Sequence, residues 1–204
     1  MLARAGAMLN DRSSILSLLK TRRSGRPRDL TEPGPSEEQL REILAVATRV
    51  PDHGKLAPWR FVIVRKEDRG AFEALLQRAY RIDHPEPGRL ETEATQRFAH
   101  QAPALVVALF KPVASSKIPL WEQQLSCGAA LMNLLTATHA LGFAAGWVTG
   151  WAAYSEEVRR AFAADDEVIA GFIFIGTPGI ELEERPRPAL DDVISNWRPG
   201  DASY

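Results

Sequence analysis

A chain of 204 residues, 45% hydrophobic and 25% charged, has the composition of an ordinary globular protein and is long enough for one generous domain. A formal net charge of −1 gives no global basic field to attract nucleic acid, and a single cysteine, Cys127, excludes an intrachain disulfide and a cysteine-rich zinc site. The longest apolar stretches are interrupted by Gly, Thr, Asn or His and stop short of a membrane span, so neither membrane nor nucleic acid is expected as a partner.

The opening segment, MLARAGAMLNDR, lacks the continuous apolar stretch and cleavage pattern of a signal peptide. Residues 1–12 are therefore expected to form a disordered extension and residues 13–204 one cytoplasmic domain. SSILSLLKTR, residues 13–22, sets Ile15, Leu18 and Leu19 at helical spacing behind a serine cap. The next segment is broken by Gly25, Pro27, Pro33 and Pro35, and its start carries Arg22, Arg23, Arg26 and Arg28 beside the hydroxyls of Thr21 and Ser24. Arginine forks match phosphate oxygens and a serine adds a neutral donor. A solvated basic helix end, favoured by the helix dipole, explains the same residues.

Ser36 and Gln39 form a capping box for a second helix with Leu40, Ile43, Leu44 and Ala47 as its buried stripe. RVPDHGKLAPWRF, residues 49–61, then places two prolines, a glycine and the polar groups of Arg49, Asp52, His53 and Lys55 before a β-rich run, WRFVIVR. That is more than a connector requires. His53 could donate to a polar ligand with Asp52 as a cap, or the loop could be rigid and its histidine satisfied by backbone groups. Residues 68–82 and 89–100 read as helices around DHPEPG, and ALVVALF (104–110) as a strand buried on both faces.

Residues 119–141 carry the longest helical pattern, apolar nearly all round, as befits a core or interface helix. Cys127 within it reads as an inert packed thiol. A strand over 143–150 ends in GWVTG, whose glycines suit either a tight turn or the approach of a flat ligand. A short helix (155–163) and a strand (168–178) follow. In the polar tail, Arg185 and Arg187 of ERPRP could clamp an anion or be merely exposed. The four histidines, at 53, 84, 100 and 139, are scattered without metal-ligand spacing, so no metal is expected.

Alternation of helix and strand by itself suggests a doubly wound α/β domain, yet no G-x-G-x-x-G or P-loop occurs. Taken in order, Arg22-Arg23-Ser24, the Arg49, Pro51, Pro58 and Trp59 block, Gly146-Trp147-Val148-Thr149-Gly150 and Gly176-Thr177-Pro178 resemble the nitroreductase-like flavoprotein family over about residues 14–192. Asp52-His53 with Trp121-Glu122-Gln123-Gln124 looks like its small single-domain, YdjA-like branch.

The resemblance implies an α+β fold, a mostly antiparallel central sheet flanked by helices, in a domain-swapped homodimer with FMN at the subunit interface. By position, Arg22, Arg23 and Ser24 hold the FMN phosphate and ribityl side from one subunit. Arg49 and His53 reach the flavin from the other. Trp147, Val148, Thr149 and Gly150 lie by the isoalloxazine, and Arg187, with Arg185 as second choice, matches the late phosphate-binding cation. The implied activity is ping-pong electron transfer from NAD(P)H to an electron-poor acceptor such as a nitroaromatic or quinone. The flavin carries that chemistry, and no side chain is assigned as catalytic. A flavin-binding carrier or sensor with little turnover, and an FMN-fragmenting enzyme of the same fold, are the alternatives. Lys55, Ala57 and Val148 depart from the family pattern, which often has Asn and Gln at the first two positions and can have Arg at the third.

Overall fold

A computed structural model describes residues 8–114 and 117–198. Helix α1 (Ile15–Thr21) starts where the Ser14 side chain accepts the Ser17 N–H. A two-residue strand β1 (Leu30–Thr31) follows, then α2 (Glu37–Ala47), whose Ser36–Gln39 capping box forms as the spacing predicts. The chain continues through β2 (Trp59–Val64), α3 (Arg69–Asp83), α4 (Arg89–His100), β3 (Ala104–Phe110), α5 (Leu120–Ala140) and β4 (Ala144–Val148). It ends with α6 (Trp151–Tyr154), α7 (Glu156–Phe162) and β5 (Val168–Pro178). No helix among the described residues is long and apolar enough to cross a membrane.

The five strands form one sheet in which β5 pairs with β1, β3 and β4, and β2 pairs with β3. All of these pairings are antiparallel, which overturns the doubly wound reading and agrees with the α+β fold. The reason lies in how β3 and β5 are covered. Leu105, Val107 and Leu109 of β3, with Phe172 and Phe174 of β5, pack against α3, α4, α6 and α7. The alternate residues Val106, Ala108, Ile173 and Ile175 pack against α2 and α5. Both strands are therefore continuously apolar because helices cover both sheet faces, and that covering does not require parallel strands.

Between Ala108 and Leu109 the β3–β5 register shifts, leaving Ala170 unmatched. Its carbonyl accepts the Trp147 indole N–H at 3.0 Å. A Cβ on the adjoining Gly171 would lie 2.2 Å from that indole nitrogen, so glycine is what lets the ring cross β5.

Candidate functional site

The end of α1 is fixed twice over. The Arg23 N–H donates to Asn10 Oδ1 at 2.7 Å, and the Arg23 carbonyl accepts from Asn10 Nδ2 at 3.2 Å. The same carbonyl lies 3.1 Å from His139 Nε2, near the C-terminus of α5. Residues 1–7 of the expected N-terminal extension lie outside the described residues, while Asn10 and Asp11 bond to Arg23 and Thr21. Gly25 then donates its N–H to Ala145 of β4 at 3.1 Å. A Cβ at Gly146 would meet the Gly25 carbonyl at 2.7 Å and the Pro27 ring at 2.9 Å. The close approach that Gly146 permits is thus by its own chain, tying the arginine loop to the strand that leads into Trp147–Gly150.

Chain folding brings the tail onto this loop from some 160 residues away. Arg23 Nε donates to the Glu183 carbonyl at 2.6 Å, and Arg26 pairs with the Glu183 carboxylate at 3.3 Å. Arg22 Nη1 donates to Ser24 Oγ at 3.2 Å. Burial, and then the charge of Arg187, push the Arg22 guanidinium below its ordinary pKa against the opposing pull of Glu184. Burial pushes Arg23 the same way, followed by Arg185 and Arg187, again opposed by Glu184. Glu184 is itself shared, 3.4 Å from Arg187. Arg22, Arg23, Arg185 and Arg187 therefore converge with a surplus of positive charge. Mutual repulsion of this kind disfavours the bare protein and is relieved by a bound anion.

The second group sits elsewhere. Asp52 accepts the N–H groups of Leu56 and Ala57 at 3.1 and 2.8 Å, so it caps the loop. Those bonds hold Gly54, Lys55 and Ala57 at positive φ values of 75°, 58° and 48°. His53 Nδ1 lies 2.7 Å from Glu122 on the first turn of α5, and Ser126 donates to the Pro51 carbonyl at 2.6 Å. Arg49, with its side chain exposed, has its carbonyl 3.3 Å from Asn133 Nδ2. Glu122 lies seventeen positions before His139 on α5, roughly 25 Å along the axis at 1.5 Å per residue. Within one chain, His53 and the arginine clamp are thus at opposite ends of that helix.

Beyond β4, Thr149 and Gly150 are exposed, and Gly150 takes φ 74° to enter α6, with open space where a Cβ would be. Trp147 is turned onto β5 by its bond to Ala170, whereas Val148 packs toward the α3–α4 face. Cys127 is buried, and burial pushes its thiol up to about 11. That suits the inert packing read from the sequence.

Much of α5 is covered, but Trp121, Leu125 and Met132 are exposed and Gly128 faces open space. Ile15, Leu16 and Leu19 of α1 are exposed as well, Ile15 at 81%. In the tail, Leu190, Val193, Ile194 and Trp197 are uncovered.

Comparison with known proteins agrees with the fold. A family model described as "Nitroreductase family" matches residues 19–177. A Haemophilus influenzae protein is 38% identical over 86% of this chain and 94% of its own. YdjA of Escherichia coli K12 is 34% identical over 81% of this chain and 89% of its own. Both carry the description "Putative NAD(P)H nitroreductase". Among solved structures, the FMN and NADPH-dependent nitroreductase NfnB of Sphigopyxis sp. strain HMH superposes with a TM-score of 0.70. It is 20% identical over 91% of this chain and 99% of that one.

Proposed function

The chain belongs to the nitroreductase family, and from that premise we propose that two copies of it hold FMN between them and pass electrons from NAD(P)H to an electron-poor acceptor. The observation that carries this reading is the convergence of Arg22 and Arg23 with Arg185 and Arg187, a donor set suited to a terminal phosphate, with Glu184 as the carboxylate opposing it. Arg22, Arg23 and Ser24 hold the phosphate and ribityl side, with Arg187 or Arg185 closing over the phosphate. Thr149 and Gly150, exposed at the end of β4, take the isoalloxazine edge with Trp147 and Val148 beside it. Held there, FMN would supply the redox chemistry linking reduced nicotinamide to a nitroaromatic or quinone in alternating half-reactions.

Arg49 and His53 complete the site from the second copy. The distance of His53 from the clamp along α5 supports this sharing, as does the exposed apolar surface of α1, α5 and the tail. Glu122 keeps the His53 ring oriented from the first turn of α5. The protein works in the cytoplasm, where reduced nicotinamide is supplied. The test is the visible spectrum of the purified protein, mass identification of what heat releases, and steady NADPH oxidation with menadione as acceptor. A yellow protein releasing FMN, with parallel double-reciprocal lines, is expected. A colourless protein that takes up no added FMN contradicts the reading.

A further inference from the structure

His139 is fully buried, and both of its ring nitrogens face backbone carbonyls. Nδ1 lies 2.5 Å from the Leu135 carbonyl one turn earlier on α5, and Nε2 lies 3.1 Å from the Arg23 carbonyl in the clamp. A neutral imidazole carries one N–H, so it can donate to only one of these acceptors; imidazolium donates to both. Both contacts can be hydrogen bonds at once only when the ring is charged.

Its surroundings oppose that charge. Burial depresses the His139 pKa most, and Arg22 depresses it further, while the bonds to Leu135 and Arg23 raise it. The other charged groups around it are mixed. Arg12 and Lys20 of the N-terminal segment and α1, with Glu181 and Glu184 of the tail, line the same cleft as His139. The clamp arginines add Arg23, Arg185 and Arg187 beyond Arg22. In the bare protein Glu184 offsets only part of the positive charge on the clamp. A phosphate dianion against Arg22 and Arg23 reverses the balance of charge at the ring.

We propose that His139 is the proton-linked positioning residue of the clamp: it takes up a proton when a phosphate docks on Arg22 and Arg23, and then holds the Arg23 carbonyl with one N–H while the other stays on Leu135. This rests on the reading of FMN as the ligand. The coupling acts in the window between the His139 pKa of the free protein, below the usual histidine range, and its raised value in the complex. Within that window affinity falls as pH rises, because only the protonated form has both bonds and the favourable charge.

The experiment is FMN titration of the full-length wild type and of His139→Gln across pH 6 to 9, with riboflavin, which lacks the phosphate, in parallel. Linkage of one proton gives about a tenfold weakening per pH unit inside the window. The expected result is that slope for FMN with wild type, and its absence for His139→Gln and for riboflavin. Titration of the FMN phosphate is common to both proteins and cancels in their comparison. Should His139→Gln not fold, nitrogen-15 spectra of wild-type histidines decide. The His139 ring is expected to have one protonated nitrogen without FMN and two with it. Equal pH slopes for wild type and variant, or a ring whose protonation ignores FMN, overturn the inference while leaving FMN as the ligand. Failure of wild type to bind FMN at any pH overturns both readings.

Discussion

At Arg23 the backbone and the side chain have different partners, and this separates a binding defect from a folding defect. The peptide is held by Asn10, which any residue at the position retains, while the guanidinium sits among Arg22, Arg185 and Arg187. Arg23→Gln removes one bond to Glu183 and also removes repulsion, so apo stability is expected to move by no more than about 1 kcal/mol. A phosphate contact of an arginine is worth about 1.5–3 kcal/mol, so FMN affinity is expected to fall by about one to two decades. Arg28→Gln is the reference: it lies outside the clamp, with Asp29 as its partner at 3.9 Å. Thermal melts and FMN titrations of the two variants check this, and equal small losses in affinity at both positions count against the clamp. The arginines themselves were legible as a run beside a helix end, and ERPRP as a second cluster. Their meeting was not, because it depends on the tail crossing back over 160 residues. Nor did spacing single out His139, whose partner is a backbone carbonyl that any residue type at 23 presents.

Between elements, two contacts carry definite expectations. Gly146→Ala drives a methyl into the Gly25 carbonyl and the Pro27 ring, neither of which can rotate away. Overpacking of this kind costs about 1–3 kcal/mol. Part of the strain should appear as displacement of the Arg22–Ser24 loop, so FMN affinity is expected to drop along with the melting temperature. Glu167 joins β2 to the start of β5: its carboxylate takes two bonds from Arg60, at 2.9 and 2.5 Å, and one from the Ala164 N–H at 2.9 Å. The hydrogen bond from Arg60 is the main cause holding its pKa below the ordinary 4.5. A carboxylate depressed on folding adds stability above its unfolded pKa, lost as pH falls through the folded one. Glu167→Gln is thus expected to cost about 2 kcal/mol at neutral pH and to flatten the loss of stability below about pH 4.5, read from urea melts at a series of pH values. The long elements could be read from periodicity, with α5 found at Leu120–Ala140 against an expected 119–141. Strand β1 and helix α6, two and four residues long, are too short to show a period. Parallel and antiparallel arrangements were indistinguishable from apolar runs alone, since helices cover the sheet on both sides.

At the scale of the whole molecule, the central claim is that each FMN is held by two chains. The apolar surface of α1, of α5 at Trp121, Leu125 and Met132, and of the tail is then the joint between copies. A chain with Arg23→Glu lacks the clamp, and a chain with Arg49→Glu and His53→Glu lacks the contribution from the opposite end of α5. Neither homodimer should retain FMN. Unfolded together in equal amounts and refolded, half the dimers should be mixed, and each mixed dimer has one site made wholly of native residues. FMN titration of the mixture should then recover about a quarter of the sites at wild-type affinity, as two-fold symmetry requires. If the mixture instead stays as empty as either parent while sedimentation shows that mixed dimers have formed, the two sets of residues do not share a site across the interface.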